Sequence, residues 1–376
     1  DTTTRSPSIN LSPLLNLSNT FTMFSLPAWP QRAQSHSLKE ISRSTDDPSI
    51  TQFTALYSVH VHTPTKEPVN TLTRPNYKKY TPPKHPVILC HGLSGFDTLI
   101  LIPSVKMLVN VIAKAIDSNN SENFVPTDDK NILEVEYWTG VRELLESKGC
   151  KVFTARVPPF GSIEDRASKL NSSLNSICKN LNQPVKFNFI AHSMGGLDCR
   201  YLISRIPNSN KEYGVASLTT LSTPHGGSEV ADFMVNQFEK VRGSFNNKGP
   251  LLPMCYYQLT TYYAKYFNDV TPDDGSVKYF SYGAYFSPKW YSSFNLTWSI
   301  INYATNGEPN DGMVTVKSSH WGKYMGTLPN TDHLDIINWR NRVHETYEQL
   351  VQNKEPSDSI LQLYLNITHN LGQNGC

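Results

Sequence analysis

Residues 185–200 read VKFNFIAHSMGGLDCR, and this stretch decides the fold. Val185, Phe187, Phe189 and Ile190 are β-branched or aromatic, the residue types that suit a strand. Leu197, Tyr201 and Leu202 fall on one helical face, so the segment continues as a helix. Between the two lies Ala191-His192-Ser193-Met194-Gly195, a serine with a small residue two places to either side. A strand that turns straight into a helix leaves no room for large side chains at 191 and 195. It also holds the serine hydroxyl clear of the backbone at the positive end of the helix. The pattern calls for an acid and then a histidine further along the chain.

Outward from this turn, strands and helices alternate. Upstream, HPVILCHG carries the apolar run Val87–Cys90, which suits a strand buried on both faces. It leads into His91-Gly92-Leu93-Ser94-Gly95. Pro103 then opens a helix with Val105, Leu108, Val109 and Ile112 on one face, and the polar stretch 117–130 reads as an inserted loop. A helix over 137–148 ends at Gly149, and Lys151–Val157 reads as a strand. Ser162 and Asp165 make a capping-box-like start for a helix with apolar positions 163, 167, 170, 174, 177 and 181. Beyond the serine, Val215–Leu221 is a strand, followed by a helix capped by Ser228. Alternation of this kind argues a doubly wound, mostly parallel α/β sheet in a domain spanning 81–376. A last helix is expected over 358–368.

Composition excludes several function classes. The net charge of +2 and the lack of a basic stripe give no reason to expect nucleic acid. No apolar run reaches the roughly 18–20 residues of a membrane span, so any membrane contact is peripheral. The six cysteines show no metal-like spacing and read as buried thiols. Residues 1–80 are rich in Ser, Thr and Pro and read as an extension with at most a short strand pair at 52–62. No acidic residue occurs from Thr2 to Lys39, which suits either a mitochondrial address or a disordered tail. Sequons such as those at Asn171 and Asn295 matter only if the chain is secreted. Sixteen aromatic residues crowd 251–303. They suit a second aromatic core, or an apolar cap over a site for acyl chains within an insertion over about 231–303.

The chemistry follows from the serine. A serine hydroxyl is a weak nucleophile until a base takes its proton, and a carboxylate must fix the tautomer of that base. Asn310-Asp311-Gly312 and Asp332-His333 follow in the required order, so Ser193 is the expected nucleophile, Asp311 the acid and His333 the base. The backbone N–H groups of Leu93 and Met194 are expected to receive the oxyanion. His225 competes with His333 for the role of base, with His320 a weaker rival. His91 and His192 read as structural. Asp198 and Asp232 read as surface or cap charges, and Asp335 as structural or a calcium ligand.

HGLSGFD at 91–97, EYWTGVRELLESKG at 136–149, AHSMGGLDCRY at 191–201, STPHGGSEVADF at 222–233, NDGMVTVKSS at 310–319 and DHLDIINW at 332–339 together resemble the triacylglycerol lipases of the yeast mitochondrial type. The bacterial calcium-dependent true lipases are a more distant likeness. The resemblance covers about residues 80–370 and implies an α/β-hydrolase fold with a helical lid. It implies hydrolysis of long-chain acylglycerol esters at a lipid–water interface, with a mitochondrial location. Its triad falls on Ser193, Asp311 and His333. Of the two aspartates that hold calcium in the bacterial members only Asp335 has a counterpart, so no cofactor is expected. Phospholipase or short-chain esterase activity, or lipid binding without catalysis on the same fold, are the alternatives.

Overall fold

The computed structural model describes residues 80–93, 137–181, 185–244, 250, 252–288, 292–339 and 359–376. The extension over 1–79, the expected helix at 103–112 and the polar loop at 117–130 lie outside the described residues. The described chain belongs to one compact unit, Pro64–Cys376.

Its centre is a six-stranded sheet in the order β2-β1-β3-β4-β5-β6, parallel throughout. The strands are β1 (Val87–Cys90), β2 (Val152–Ala155), β3 (Val185–His192), β4 (Tyr213–Leu221), β5 (Lys278–Ala284) and β6 (Lys323–Leu328). Helices α1 (Val141–Ser147), α2 (Ile163–Leu181) and α3 (Gly195–Arg205) connect the first four strands. Then come α4 (Glu229–Ser244), α5 (Met254–Gln258), α6 (Thr261–Val270), α7 (Asn295–Ala304) and, at the end, α8 (Ser359–Gln373). This is the α/β-hydrolase arrangement of a doubly wound parallel sheet.

Why β1 is apolar throughout is visible in its two faces. Val87 and Leu89 pack with Trp138, Leu145 and the α8 residues Leu363 and Tyr364. Ile88 and Cys90 pack on the other face with Leu170 and Leu174 of α2 and Leu202 of α3. With side chains alternating along a strand, covering both faces requires an unbroken apolar run. All six cysteines are buried and free.

The second half of the chain departs from expectation in two places. The stretch 231–303 is not one insertion, because β5 lies inside it and belongs to the sheet. Its aromatic residues serve several cores. Phe280 and Tyr282 pack in the main core, Tyr256, Tyr263 and Phe267 pack with α4, and Phe286, Phe294 and Trp298 form a small cluster of their own. The valine-rich run after Asn310-Asp311-Gly312, whose residue types and preceding turn call for a strand, is not one. The Asp311 carboxylate takes the N–H groups of Met313 and Val314, which curls the run into a turn closed by a single bridge from Asn310 to Thr315. The next strand is β6, which begins at Lys323.

A buried polar cluster ties α3 to the later strands. Arg200 lies 3.4 Å over the Trp321 ring and donates to Asn268 Oδ1 at 2.8 Å and to Thr271 O. It also reaches His225 Nδ1 at 3.3 Å, while His225 Nε2 lies 3.0 Å from Thr220 Oγ1. Burial, and then the Arg200 charge, push His225 well below its ordinary pKa.

Two predictions follow from these contacts. A methyl added at Gly195 would sit 2.6 Å from the His91 carbonyl oxygen and 2.7 Å from that of Cys90, where only backbone could yield. Gly195→Ala is therefore expected to lose about 1–3 kcal/mol in denaturant unfolding. Gly275→Ala, which meets nothing within 4 Å, should stay near wild type. His225 is neutral when folded but binds a proton near its ordinary pKa of 6.5 when unfolded. The unfolded state thus holds the extra proton below that pH, and the wild type should lose stability relative to His225→Gln as pH falls from about 7 to about 5. Melting curves across that range check it; a gap that does not change with pH would contradict it.

Candidate active site

Ser193 sits at the turn between β3 and α3 with φ +55°, the left-handed region that L-residues rarely occupy. The turn is held from both sides. Ser193 N–H donates to Leu221 O at 3.0 Å, and Ser193 O accepts from Thr223 Oγ1 at 2.7 Å. Gly92, just beyond β1, approaches so closely that an added Cβ would be 2.6 Å from Ser193 Cβ. The site thus forms where the chain leaves β1 and β3, neighbouring strands from which it winds in opposite directions. Ligands of open α/β sheets bind at such a switch point.

The acid and the base come from loops in the second half of the sheet. Asp311 Oδ2 accepts from His333 Nδ1 at 2.7 Å, and His333 Nε2 lies 3.0 Å from Ser193 Oγ. Asp311 is fully buried, and its other oxygen accepts from Met313 N at 2.9 Å and Val314 N at 2.8 Å. His333 N also donates to Asp311 O at 2.9 Å. With Nδ1–H committed to the carboxylate, Nε2 is free to accept the Ser193 proton. The structure therefore brings together the three side chains expected from the sequence.

Of the two expected oxyanion donors, Met194 directly follows the serine and Leu93 directly follows Gly92, which packs against Ser193. Met194 caps α3, with its side chain buried, and Leu93 lies in the loop after β1. Among the described residues no hydrogen-bond acceptor takes the N–H of either. A residue that sequence reading misses sets the direction of one of them. Arg166 of α2, buried, donates through Nη2 to His91 O at 2.9 Å and Gly92 O at 3.1 Å. In a trans peptide the C=O and N–H point to opposite sides, so holding Gly92 C=O turns Leu93 N–H the other way. Arg166 is balanced by Asp198 at 2.8 Å. Asp198 is thus no surface or cap charge. It is 1% exposed, and burial lifts its carboxyl to about 6 against the pull of Arg166. Nothing in a single sequence marks this pair, whose members lie 32 positions apart.

The other candidates are engaged elsewhere. His225 belongs to the Arg200 cluster, and His320 is exposed, with its ring 3.6 Å from that of Tyr324. His91 accepts from Val157 N–H through Nε2, so Nδ1–H goes to Gly92 O; burial, and then Arg166, push it down to about 3. Asp232 is structural, receiving the N–H and hydroxyl of Thr261. Asp335 accepts from Asp332 N–H at 3.1 Å. Among the described residues no three His, Cys, Asp or Glu side chains gather in a way that could hold a metal ion.

Ser193 and His333 open onto a pocket with an empty volume of about 850 Å³, open solvent included. Its lining includes Met234, Tyr256 and Leu259 of the α4–α5 region together with Met313, Leu334 and Ile337. A hydroxyl and an imidazole among apolar lining side chains suit an ester whose acyl part is hydrocarbon.

The chain is similar to known proteins in keeping with this geometry. The family model described as palmitoyl protein thioesterase matches residues 86–349. "Triacylglycerol lipase 2" of Saccharomyces cerevisiae is 50% identical over 308 residues, covering 79% of this chain and 94% of that protein. "Triacylglycerol lipase" of Vibrio cholerae is 26% identical, covering 72% of this chain and 84% of that protein. The crystal structure of Staphylococcus hyicus lipase, 17% identical, aligns with a TM-score of 0.49 over 82% of this chain and 98% of that one. With the family model spanning all six strands of the sheet, this α/β-hydrolase chain belongs to the palmitoyl protein thioesterase family.

Proposed function

We propose that this protein is a serine lipase that hydrolyses long-chain acylglycerol esters. The observation that carries this reading is the unbroken chain Asp311–His333–Ser193, at 2.7 Å and 3.0 Å, with Ser193 and His333 lining a mostly apolar pocket. The names of the yeast and bacterial relatives support the substrate class.

Each step falls to a named group. Ser193 Oγ attacks the ester carbonyl carbon as its proton passes to His333 Nε2. The carbonyl oxygen becomes an oxyanion and is received by the N–H groups of Leu93 and Met194. Asp311 keeps the imidazole in the accepting tautomer and stabilises the imidazolium. Collapse breaks the ester C–O bond, and His333 returns the proton to the departing glyceride oxygen. The acyl group stays on Ser193. A water then repeats the sequence and frees a fatty acid. The hydrocarbon tail lies along Met234, Leu259 and Leu334, where leaving water is favourable by about 0.8 kcal/mol per buried CH₂. The substrate is met at a lipid–water interface. No helix among the described residues is long and apolar enough to cross a membrane, and contact with the lipid surface is peripheral in this reading. The acid-free stretch from Thr2 to Lys39 supports a mitochondrial address.

On emulsified long-chain triacylglycerol, Ser193→Ala is expected to lower kcat by a factor on the order of 10⁶. Activity within about tenfold of wild type would show that Ser193 is not the nucleophile. Across esters of increasing chain length, kcat/KM should rise as each added CH₂ is buried. A preference for short soluble esters, with no gain on emulsions, would favour a short-chain esterase instead.

A further inference from the structure

The triad and its donors leave a buried pair of side chains unexplained. Gly92 N–H donates to Tyr137 Oη at 3.0 Å, and Tyr137 Oη lies 2.7 Å from His192 Nδ1. Both bonds are buried. The phenol oxygen accepts from Gly92 N–H, and in the arrangement where its own proton goes to His192 Nδ1 the proton of His192 resides on Nε2, a buried atom without a hydrogen-bond partner among the described residues. The His192 ring packs against the His333 ring with centroids 4.5 Å apart. Burial, and then the charge of His333, push His192 well below its ordinary pKa. It therefore stays neutral and adds no second positive charge when His333 takes the serine proton.

Gly92 has a reason to need this tether. It must be glycine, because Ser193 Cβ fills the place of its side chain, yet glycine leaves a loop free to rotate. Arg166 holds its C=O from one side and Tyr137 holds its N–H from the other. The tyrosine is itself wedged edge-on against Trp138 at 5.3 Å, and Trp138 against Tyr364 at 5.9 Å. Its ring is set by packing, and its hydroxyl bridges the loop after β1 to the strand that carries the serine.

We propose that Tyr137, with His192 as its acceptor, is a positioning residue that fixes the oxyanion loop so that Leu93 N–H stays aimed at the developing charge. The proposal rests on the reading of Ser193 as nucleophile. It assigns to Tyr137 a role in the transition state and none in binding the ground state, so kcat should change and KM should not.

The test uses the full chain and five variants. Tyr137→Phe keeps the ring and removes both bonds. His192→Leu removes the acceptor, while His192→Asn keeps an acceptor close to the place of Nδ1. Tyr137→Phe and His192→Leu should each lower kcat by about tenfold to a hundredfold, with KM within about twofold. Inactivation by an alkyl fluorophosphonate should slow in the same proportion, since it passes through a similar charged oxygen. His192→Asn should retain most of the activity, and the double variant Tyr137→Phe/His192→Leu should be no worse than either single change. The proposal is overturned if Tyr137→Phe keeps kcat within about twofold of wild type, if the loss lies in KM alone, or if His192→Asn is as impaired as His192→Leu. Should Tyr137→Phe fail to fold, the contrast between the two His192 variants decides the matter. Ser193→Ala is run alongside: if it remains active the nucleophile reading fails, whereas an unchanged Tyr137→Phe beside a dead Ser193→Ala sinks only the positioning role.

Discussion

The catalytic end of this molecule depends on how closely the end of β1 is pressed against the turn at Ser193. Cys90 and Ala191 are register partners on adjacent parallel strands, and the backbone beyond each has almost no space between them. The missing side chain of Gly92 would meet Ser193 Cβ at 2.6 Å, and that of Gly195 would meet the His91 carbonyl at 2.6 Å. The same contact that forbids side chains presses Gly92, whose carbonyl shares a peptide with Leu93 N–H, against the serine. Its cost is a serine with φ +55°, held in place by hydrogen bonds to Leu221 and Thr223.

The acid and base are fixed by a different device. Asp311 uses one carboxylate oxygen to curl its own loop and the other to orient His333, while its backbone carbonyl takes the histidine N–H. Structure and chemistry share one side chain, so the loop cannot relax without moving the base. Around the oxyanion loop the protein spends buried polar groups freely: Arg166 with Asp198 on one side, Tyr137 with His192 on the other. Partnered in this way, they fix a geometry that apolar packing alone would leave to a flexible glycine.

What could be read from the chain alone were features whose meaning is local. The tight turn around Ser193, the apolar run of β1 and the order of Asp311 and His333 each follow from spacing and residue type. What escaped depends on partners far away in the chain. Tyr137 and Gly92 are 45 positions apart, and Arg166 and His91 are 75 apart. Asp198, on a helix that reads as amphipathic, gives no sign that its carboxylate is buried. Strand β5 hides in an aromatic-rich stretch that also suits a cap, and β6 is broken in register near Gly326, so neither shows the alternation that marks a strand. The run after Asp311 suits a strand by propensity, and a carboxylate accepting two N–H groups overrides it.

The family description speaks of thioesters, and the named relatives of glycerides. In the proposed mechanism the two substrate classes share everything up to the leaving group, because the same serine, base and oxyanion donors would open either bond. The central claim is therefore that Ser193 is activated by His333. It is tested most directly by intact-mass and peptide analysis after brief exposure to an alkyl fluorophosphonate, for the wild type and for His333→Ala. One phosphonate on Ser193 in the wild type, and none in His333→Ala over the same time, is the expected result. Labelling at another residue, or equal labelling of both proteins, would contradict it.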